Sequence, residues 1–265
     1  MASRVTQAGG SRRASPQLNL ALASFRFWMR YFRFETEGFE LLATTEPSLI
    51  IAYHGGPWTF DLWMLAARMY DELGYFPPAI WHRVWWRFPG LREAISELGG
   101  LPGPPTEEDI IGIKERGEHM VMAPGGTREA LRPFWRQHQV DFGRRRGYLR
   151  LAYAHDLPII PAVACGLDET FVGLNEGHAL SRRLFGRAEV PAWLALGVGG
   201  FWPFALPFPV KIQQRIGTPI RLGSLPYSTA DGDDFLEKVN AHVTATLQSM
   251  LDALRRDRQA ARAVR

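Results

Sequence analysis

The chain has 265 residues, 46% of them hydrophobic and 22% charged, which is enough to bury the core of one large domain or of two small ones. This composition excludes a disordered chain and a collagen-like repeat, and Cys165, the single cysteine, excludes an intramolecular disulfide and a thiolate zinc site. The net charge of +4 is uneven: residues 1–34 and 254–265 are rich in arginine, the body between them is acidic, and such basic ends favour nucleic acid or an anionic membrane as a partner.

The first predicted element is an amphipathic helix over residues 17–34, which follows a polar segment (residues 1–16) that we expect to be a flexible basic tail. Apolar side chains recur at helical spacing on one face and arginines lie on another; the apolar face comprises Leu18, Leu22, Phe25, Met29 and Phe32. An aromatic apolar face opposite an acid-free arginine face is typical of a helix in a membrane interface. The alternative is a helix packed on the core of its own domain.

From residue 48 onward, short runs of β-branched and other apolar residues alternate with helical patterns. The predicted strands cover residues 48–54, 79–82, 119–123 and 157–164, with one or two more within 210–222. The predicted helices cover residues 61–73, 84–98, 106–116, 144–156 and 233–256. This alternation predicts an α/β fold with a mostly parallel central sheet flanked by helices.

The longest uncharged stretch lies between Glu189 and Lys211 and is long enough to span a bilayer. It contains four prolines and three glycines, which would break a spanning helix. We therefore do not expect this stretch to cross a membrane.

Two segments that follow predicted strands carry residues suited to chemistry, since ligands bind at the carboxyl ends of the strands in such sheets. The first segment is YHGGPWTFD, residues 53–61. His54 ends a strand and Asp61 opens the next helix, so the imidazole would be a general base and the carboxylate its orienting partner. The alternative is a structural histidine and an acidic residue that favours the helix dipole.

The second segment is APGGTREALRP, residues 123–133. Gly125 and Gly126 let the backbone approach a ligand closely, and their amides, the Thr127 hydroxyl and the Arg128 guanidinium would together hold an anion such as a phosphate. The alternative is a tight turn with Arg128 in a surface ion pair.

In this order the two segments resemble the glycerolipid acyltransferase superfamily, which has a His-x4-Asp block followed by a Phe-Pro-Glu-Gly-Thr-Arg block. The chain looks most like the branch of the type 2 diacylglycerol acyltransferases, whose second block is similar to Pro-Gly-Gly-x-Arg-Glu-Ala; residues 124–130 read PGGTREA. The resemblance extends through residues 144–166 and 197–220 and covers roughly residues 48–225.

Two positions depart from the superfamily pattern. Six residues separate His54 from Asp61, where the usual number is four. Gly125 stands where phosphate-handling members have glutamate, so an acceptor with a phosphate and a neutral acceptor both stay open.

The resemblance implies transfer of a fatty acyl group from an acyl thioester to a hydroxyl of a glycerolipid or another lipid acceptor. It assigns the general base to His54, its orientation to Asp61, and the acceptor headgroup to Gly125, Gly126, Thr127 and Arg128. We expect no metal and no cofactor besides the cosubstrate, which is acyl-CoA or acyl-carrier protein. Aromatic side chains within residues 190–210 would line an acyl groove, touch the bilayer or form a plain core loop; they are Trp193, Phe201, Trp202, Phe204 and Phe208.

Other functions are less consistent with the sequence. A serine hydrolase lacks support because no Gly-x-Ser-x-Gly motif is present, and Cys165 is typical of a small buried residue rather than a thiol nucleophile. A thioesterase or lipid hydrolase and a catalytically inactive lipid-binding member of the same fold stay open. We expect no nucleic-acid partner, because residues 144–146 are the one basic run in the body.

We divide the chain into a basic tail (1–16), a membrane-associating helix (17–40), an acyltransferase domain (41–256) and a basic C-terminal tail (257–265). Residues 1–16 lack the apolar stretch of a secretory signal, so we expect a protein at the cytoplasmic face of an anionic membrane surface, peripheral or monotopic. The sequence leaves the oligomeric state open.

Overall fold

A computed structural model describes residues 15–186, 191–227 and 233–263 of the chain. Its strands, in chain order, are β1 (Glu35–Glu37), β2 (Leu49–Ala52), β3 (Ala79–Trp81), β4 (Gly100–Pro102), β5 (Met120–Met122), β6 (Ile159–Cys165), β7 (Val172–Gly173), β8 (Ala195–Gly197), β9 (Gly200–Phe201) and β10 (Gln213–Ile216). Its α-helices are α1 (Pro16–Tyr31), α2 (Glu40–Thr44), α3 (Phe60–Leu73), α4 (Leu91–Glu97), α5 (Glu107–Glu115), α6 (Gly126–Ala130), α7 (Gly147–Ala154), α8 (Gly177–Phe185) and α9 (Asp233–Ala263).

The central sheet has seven strands in the order β1-β10-β6-β2-β5-β3-β4. Strand β2 pairs in parallel with β5 and β6, and β3 pairs in parallel with β4 and β5. The antiparallel pair in this sheet is β10 with β6. The predicted α/β class with a mostly parallel central sheet is therefore confirmed.

Helices cover both faces of this sheet. Leu49, Ile51 and Tyr53 of the β2 segment face a core cluster formed with α5, α7 and α9, while Ile50 and Ala52 face a second cluster formed with α2 and α3. All of these side chains are fully buried. A strand buried on both faces explains why its sequence is continuously apolar instead of alternating.

Several predicted helix boundaries differ from the structure. The N-terminal helix ends at Tyr31, so the membrane-associating helix predicted over 17–40 is too long and residues 35–37 form β1 instead, and α7 begins at Gly147 instead of residue 144. The predicted helix over 84–98 is divided into a 3-10 helix (Arg83–Arg87) and α4, because Pro89 lacks an N–H and Gly90 has a φ of +81°. The C-terminal helix continues past Arg256 to Ala263. Within this extension Arg258 is buried and donates a hydrogen bond to Sγ of Cys165 (3.2 Å), so the helix packs on the domain as far as Arg258, and residues 259–263 are exposed.

The N-terminal helix α1 begins at Pro16 after Ser15, whose hydroxyl accepts a hydrogen bond from the Leu18 amide. One face packs on α3: Leu22 is buried, and the Phe25 ring stacks on Trp63 at a centroid distance of 5.1 Å. Thus α1 packs on its own domain, the alternative that the sequence left open. Its predicted contact with a membrane stays a prediction, and residues 1–14 of the predicted basic tail lie outside the described residues.

Strands β7, β8 and β9 form a small antiparallel sheet beside the main one. The described part of the aromatic segment, residues 191–210, contains both buried and exposed aromatic side chains. Trp193 is buried against Phe171 and Trp202, whereas Phe201 and Phe204 are exposed, Phe204 to 96%. In the part of the chain that the structure describes, no helix combines the length and apolar character needed to cross a membrane.

Candidate active site

The loops that follow β2, β5 and β6 lie together at one edge of the sheet, because these three parallel strands are neighbours and their carboxyl ends point the same way. They carry residues 53–59, 123–125 and 166–171. The two segments singled out in the sequence are joined directly by a hydrogen bond. The backbone N–H of His54 donates to Oε2 of Glu129 over 3.0 Å.

His54 follows β2 and is partly exposed, but its Nδ1 atom is buried and has no hydrogen-bond partner. Burial lowers the pKa of the imidazole to about 4; backbone groups of Gly56 and His54 act in the opposite direction, and the positive charges of Arg132 and Arg145 act in the same direction as burial. The ring is therefore neutral near pH 7, which is the protonation state of a general base.

The loop after His54 packs closely on the loop after β6. A Cβ atom at Gly55 would lie 2.8 Å from Cβ of Leu167, and one at Gly56 would lie 3.1 Å from the carbonyl oxygen of Leu167. Gly56 also has a φ of +85°, a conformation that side chains disfavour. The loop ends at Thr59, which has a φ of +44°, and α3 then begins at Phe60. Of the six residues between His54 and Asp61, five therefore lie in this loop and one, Phe60, lies in α3.

Asp61 lies in the first turn of α3 and is fully buried, and neither carboxylate oxygen has a hydrogen-bond partner. Burial raises its pKa to about 7; the backbone N–H groups at the helix start and the Gln214 carboxamide act in the opposite direction. Gln214 is itself buried, and neither of its side-chain atoms makes a hydrogen bond. No hydrogen bond joins His54 to Asp61 among the described residues. His54 and Asp61 thus lie on either side of the loop between β2 and α3, and Nδ1 of His54 and both carboxyl oxygens of Asp61 lack hydrogen-bond partners.

The four residues predicted to bind the acceptor lie on the β5–α6 turn and on α6. Thr127 Oγ1 is 3.1 Å from Nε2 of His178. Arg128 donates through Nε to Asp141 (2.7 Å), and 56% of its side chain is exposed. Gly125 and Gly126 precede these residues, with Gly126 at a φ of +48°, and the Gly126 N–H donates to the carbonyl oxygen of Ala123 (3.2 Å), so this amide, predicted to hold an anion, is already bound within the turn.

Arg145 also belongs to this site. Its Nη1 atom donates to the carbonyl oxygens of Pro124 and Gly125, so a cation lies against the glycine turn. Burial and the charge of Arg128 lower its pKa. The sequence contained a signal for it, the basic run 144–146, but a linear pattern does not show that α7 begins beside the β5–α6 turn.

A second buried polar group lies directly beside His54. Tyr53 donates through its hydroxyl to Oδ2 of Asp168 (2.5 Å), and the same oxygen accepts from the backbone N–H of His138 (3.1 Å). Burial would raise the pKa of Asp168, but the contacts with His138 and the charge of Arg132 lower it below its ordinary value. These contacts hold the loops after β2 and β6 together. Sequence reasoning gave no role to Tyr53, Asp168 or His138.

The chain is similar in sequence to vertebrate proteins named for the synthesis of storage lipids. The chain is 30% identical over 205 residues to a chicken (Gallus gallus) protein named "DGAT1/2-independent enzyme synthesizing storage lipids", covering 77% of this chain and 55% of that protein. The human (Homo sapiens) protein of the same name is 29% identical over 187 residues, covering 71% and 53% respectively. The chain therefore spans little more than half the length of these relatives. No family model matches the chain.

The fold also matches a solved structure, the crystal structure of the 1-acyl-sn-glycerophosphate (LPA) acyltransferase PlsC from Thermotoga maritima. The TM-score is 0.53 with 15% sequence identity, over 89% of this chain and 79% of that one. Together, the sequence relatives and this shared fold confirm the resemblance to the glycerolipid acyltransferase superfamily that the two sequence blocks indicate.

Proposed function

We propose that this protein is a lipid acyltransferase that moves a fatty acyl group from an acyl thioester to a hydroxyl of a lipid acceptor. The observation that carries the proposal is the neutral imidazole of His54, held at the carboxyl edge of the sheet with an unpartnered Nδ1 and hydrogen-bonded through its backbone to the second block. The names of the relatives, which refer to storage-lipid synthesis and to LPA acylation, support the same class of reaction.

In the proposed reaction, His54 is the general base and Asp61 its orienting partner. Nδ1 of His54 and both carboxyl oxygens of Asp61 are buried without hydrogen-bond partners, and in the proposed reaction complex a proton on Nδ1 is donated in a hydrogen bond to the Asp61 carboxylate. Nε2 then accepts the proton of the acceptor hydroxyl as its oxygen attacks the thioester carbonyl carbon. The C–S bond breaks, and the thiolate takes the proton from the imidazolium. Asp61 stabilises that imidazolium when its carboxyl group is ionised, which a pKa of about 7 allows at neutral pH and above.

The acceptor headgroup is proposed to bind at Gly125, Gly126, Thr127 and Arg128. Two guanidinium groups lie at this turn, that of the half-exposed Arg128, which is paired with Asp141, and that of Arg145, and we propose that they bind a phosphate or another headgroup with anionic character. The donor is proposed to be acyl-CoA or acyl-carrier protein, because the proposed chemistry needs a thioester and no covalent enzyme intermediate.

Membrane association is proposed to use α1 and the loop that follows β9, at a cytoplasmic, anionic surface. The Tyr31 hydroxyl donates to the carbonyl oxygen of Pro207 (2.7 Å), which holds the two elements together. Large apolar side chains are exposed on both, including Phe27 (57%) and Phe204 (96%). Exposed aromatic residues beside arginines suit a lipid interface.

Liposome flotation of the double variant Phe27→Ser/Phe204→Ser tests this part of the proposal. We expect weaker binding to anionic vesicles than for the wild type. Ile111→Ser is the matched control, because Ile111 is an exposed apolar residue on α5, which packs on the other face of the sheet. Equal flotation of all three proteins would contradict the proposed surface.

Thiol release from a long-chain acyl-CoA and from an acyl-carrier-protein thioester, with a panel of lipid acceptors, tests the reaction itself. We expect acceptor-dependent release by the wild type and a loss on the order of 10²–10⁴-fold in His54→Ala. His155→Ala is the matched control, since His155 precedes β6 and lies at the opposite edge of the sheet. Release without an acceptor that depends on His54 would indicate a thioesterase. The absence of release with either donor would favour a lipid-binding protein.

A further inference from the structure

The carboxylate of Glu129 lies between the two halves of the candidate site. Its side chain is fully buried on α6, in the second block. Oε2 accepts the backbone N–H of His54 (3.0 Å), and Oε1 accepts the backbone N–H of Asp141 (2.7 Å). Asp141 in turn pairs with Arg128. One carboxylate therefore holds the backbone at the proposed base and the backbone beside the proposed acceptor site.

The space that this carboxylate occupies is provided by Gly125. A Cβ atom at residue 125 would lie 1.8 Å from Oε2 and 2.0 Å from Cδ of Glu129, which is impossible without displacing the Glu129 side chain. The backbone of Gly125 does not require glycine, because its φ of −61° and ψ of −34° suit any residue. Space for Glu129 is thus the reason that the structure supplies for a glycine at this position.

The charge of Glu129 is only partly compensated. Burial raises its pKa to about 7, while Arg132 and the N–H groups of Asp141 and His54 act in the opposite direction. The Arg132 guanidinium lies 3.9 Å from Oε1, which is beyond hydrogen-bond distance. The two hydrogen bonds that the Glu129 carboxylate accepts therefore come from backbone N–H groups. They engage both carboxylate oxygens and fix the orientation of the carboxyl plane.

We propose that Glu129 is a positioning residue that holds the peptide of His54, and so its imidazole, against the acceptor-binding turn, and that Gly125 is required to admit it. Glu129 acts through His54 and does not touch the reacting atoms. The catalytic consequence rests on the proposed acyltransferase function, whereas the structural consequence does not.

The structural consequence is measured at the His54 amide. We expect amide hydrogen exchange at His54, followed by NMR on ¹⁵N-labelled protein, to be faster in Glu129→Ala than in the wild type, because the amide loses its acceptor. Glu93→Ala is the matched control, as Glu93 is a glutamate on α4 with half of its side chain exposed. Unchanged exchange at His54 in folded Glu129→Ala would overturn the proposal, even if the protein had no acyltransferase activity.

The catalytic consequence is measured as kcat and KM for the acceptor. We expect kcat to fall on the order of 10²-fold in Glu129→Ala with little change in KM, since misplacement of a base affects the transition state more than ground-state binding. Glu129→Gln keeps one acceptor oxygen and is expected to lose less. If the wild type is inactive, the proposed acyltransferase function is rejected. The positioning role of Glu129 is then decided by amide hydrogen exchange at His54 alone.

Gly125→Ala tests the pair without removing Glu129. We expect it to lower kcat and to speed exchange at His54 as much as Glu129→Ala does, and the double variant Gly125→Ala/Glu129→Ala to be no worse than either single variant. Gly223→Ala is the control glycine, because a Cβ there meets nothing within 4 Å. If Glu129→Ala does not fold, Gly125→Ala carries the test alone. Wild-type behaviour of Gly125→Ala, or additive losses in the double variant, would overturn the proposal.

Discussion

Two buried carboxylates at this site differ in one respect. Asp61 on α3 and Glu129 on α6 are both fully buried, and burial raises the pKa of each to about 7. Both oxygens of Glu129 accept a backbone N–H, whereas neither oxygen of Asp61 has a partner. Two carboxyl groups that are equally buried can therefore differ in hydrogen bonding. Glu129 connects two backbone segments, whereas both oxygens of Asp61 are free to accept a hydrogen bond.

The largest expected effect is that of Asp61→Asn. We expect acyl transfer to fall on the order of 10²–10⁴-fold, because the imidazolium loses its orienting anion. We also expect the variant to be more stable than the wild type at pH 8, by roughly 4 kcal/mol at most, since the buried charge is removed. Thermal unfolding at pH 8 and the thiol-release assay measure the two effects. A destabilised Asp61→Asn protein would show that Asp61 has an unseen partner.

The pH dependence of that stability gain has a definite sign. In the folded state Asp61 loses its proton only around pH 7, while in the unfolded chain it does so near 3.8, so the wild type becomes less stable as the pH rises through this window. Asp61→Asn has no such group, and its advantage is expected to grow from about pH 4 to pH 7 and then level off. Denaturant unfolding at pH 4.5, 6 and 8 checks this; an advantage that does not change with pH would contradict it.

Glu129→Gln sharpens the contrast between the two carboxyl groups. Like Asp61→Asn, this change removes a buried carboxyl group whose pKa is raised to about 7. The new side-chain NH₂, however, must then face the backbone N–H of His54 or of Asp141. We expect it to gain less stability at pH 8 than Asp61→Asn, by about 1–3 kcal/mol, the cost of an unsatisfied buried donor. Equal gains measured by denaturant unfolding would mean that the two carboxylates are bound alike.

The imidazole of His54 is expected to behave in the opposite sense to Asp61. Its folded pKa of about 4 lies below the ordinary 6.5, so the unfolded chain binds a proton that the folded chain excludes. Stability is therefore expected to fall as the pH drops from 6.5 towards 4, and less so in His54→Ala. A ring titration by NMR measures the pKa directly, and a midpoint near 6.5 would contradict the burial of Nδ1.

The smallest expected change in stability is that of Arg128→Gln, because an exposed ion pair such as Arg128–Asp141 contributes only about 0–1 kcal/mol. Its effect is expected in KM, which should rise for a phosphorylated acceptor and change little for a neutral one. Arg92→Gln, in another exposed ion pair, is the control. Equal KM changes for the two acceptors would show that Arg128 does not read a phosphate.

Much of the fold was predictable because its signals are local. Apolar runs that end in glycine located β2 and β5, and Thr106 marked the start of α5, where its side chain caps the helix. The helix predicted over 84–98 was wrong in its middle, where the Pro89-Gly90 pair divides it. The end predicted at Arg256 was too early, because Arg258 is buried by a contact with Cys165, 93 residues away.

The residues of the candidate site could be predicted from the sequence, but the hydrogen bonds and packing contacts between them could not. The sequence identified His54, Asp61 and the turn at Gly125, and it showed that Gly125 replaces a glutamate of the superfamily pattern. It gave no reason for that replacement, since the reason is the Glu129 side chain folded back over the turn.

The sequence by itself determined the alternation of strands and helices, and with it the parallel sheet and the edge at which a ligand would bind. Periodicity, glycine turns and caps act within a few residues, so a linear reading finds them. Only the tertiary structure decided which buried polar groups are satisfied. The hydrogen bond from His54 to Glu129 joins residues 75 positions apart, and the unpartnered oxygens of Asp61 depend on what packs around α3. Burial and pairing are set by neighbouring strands, and that neighbourhood exists only after the sheet has formed.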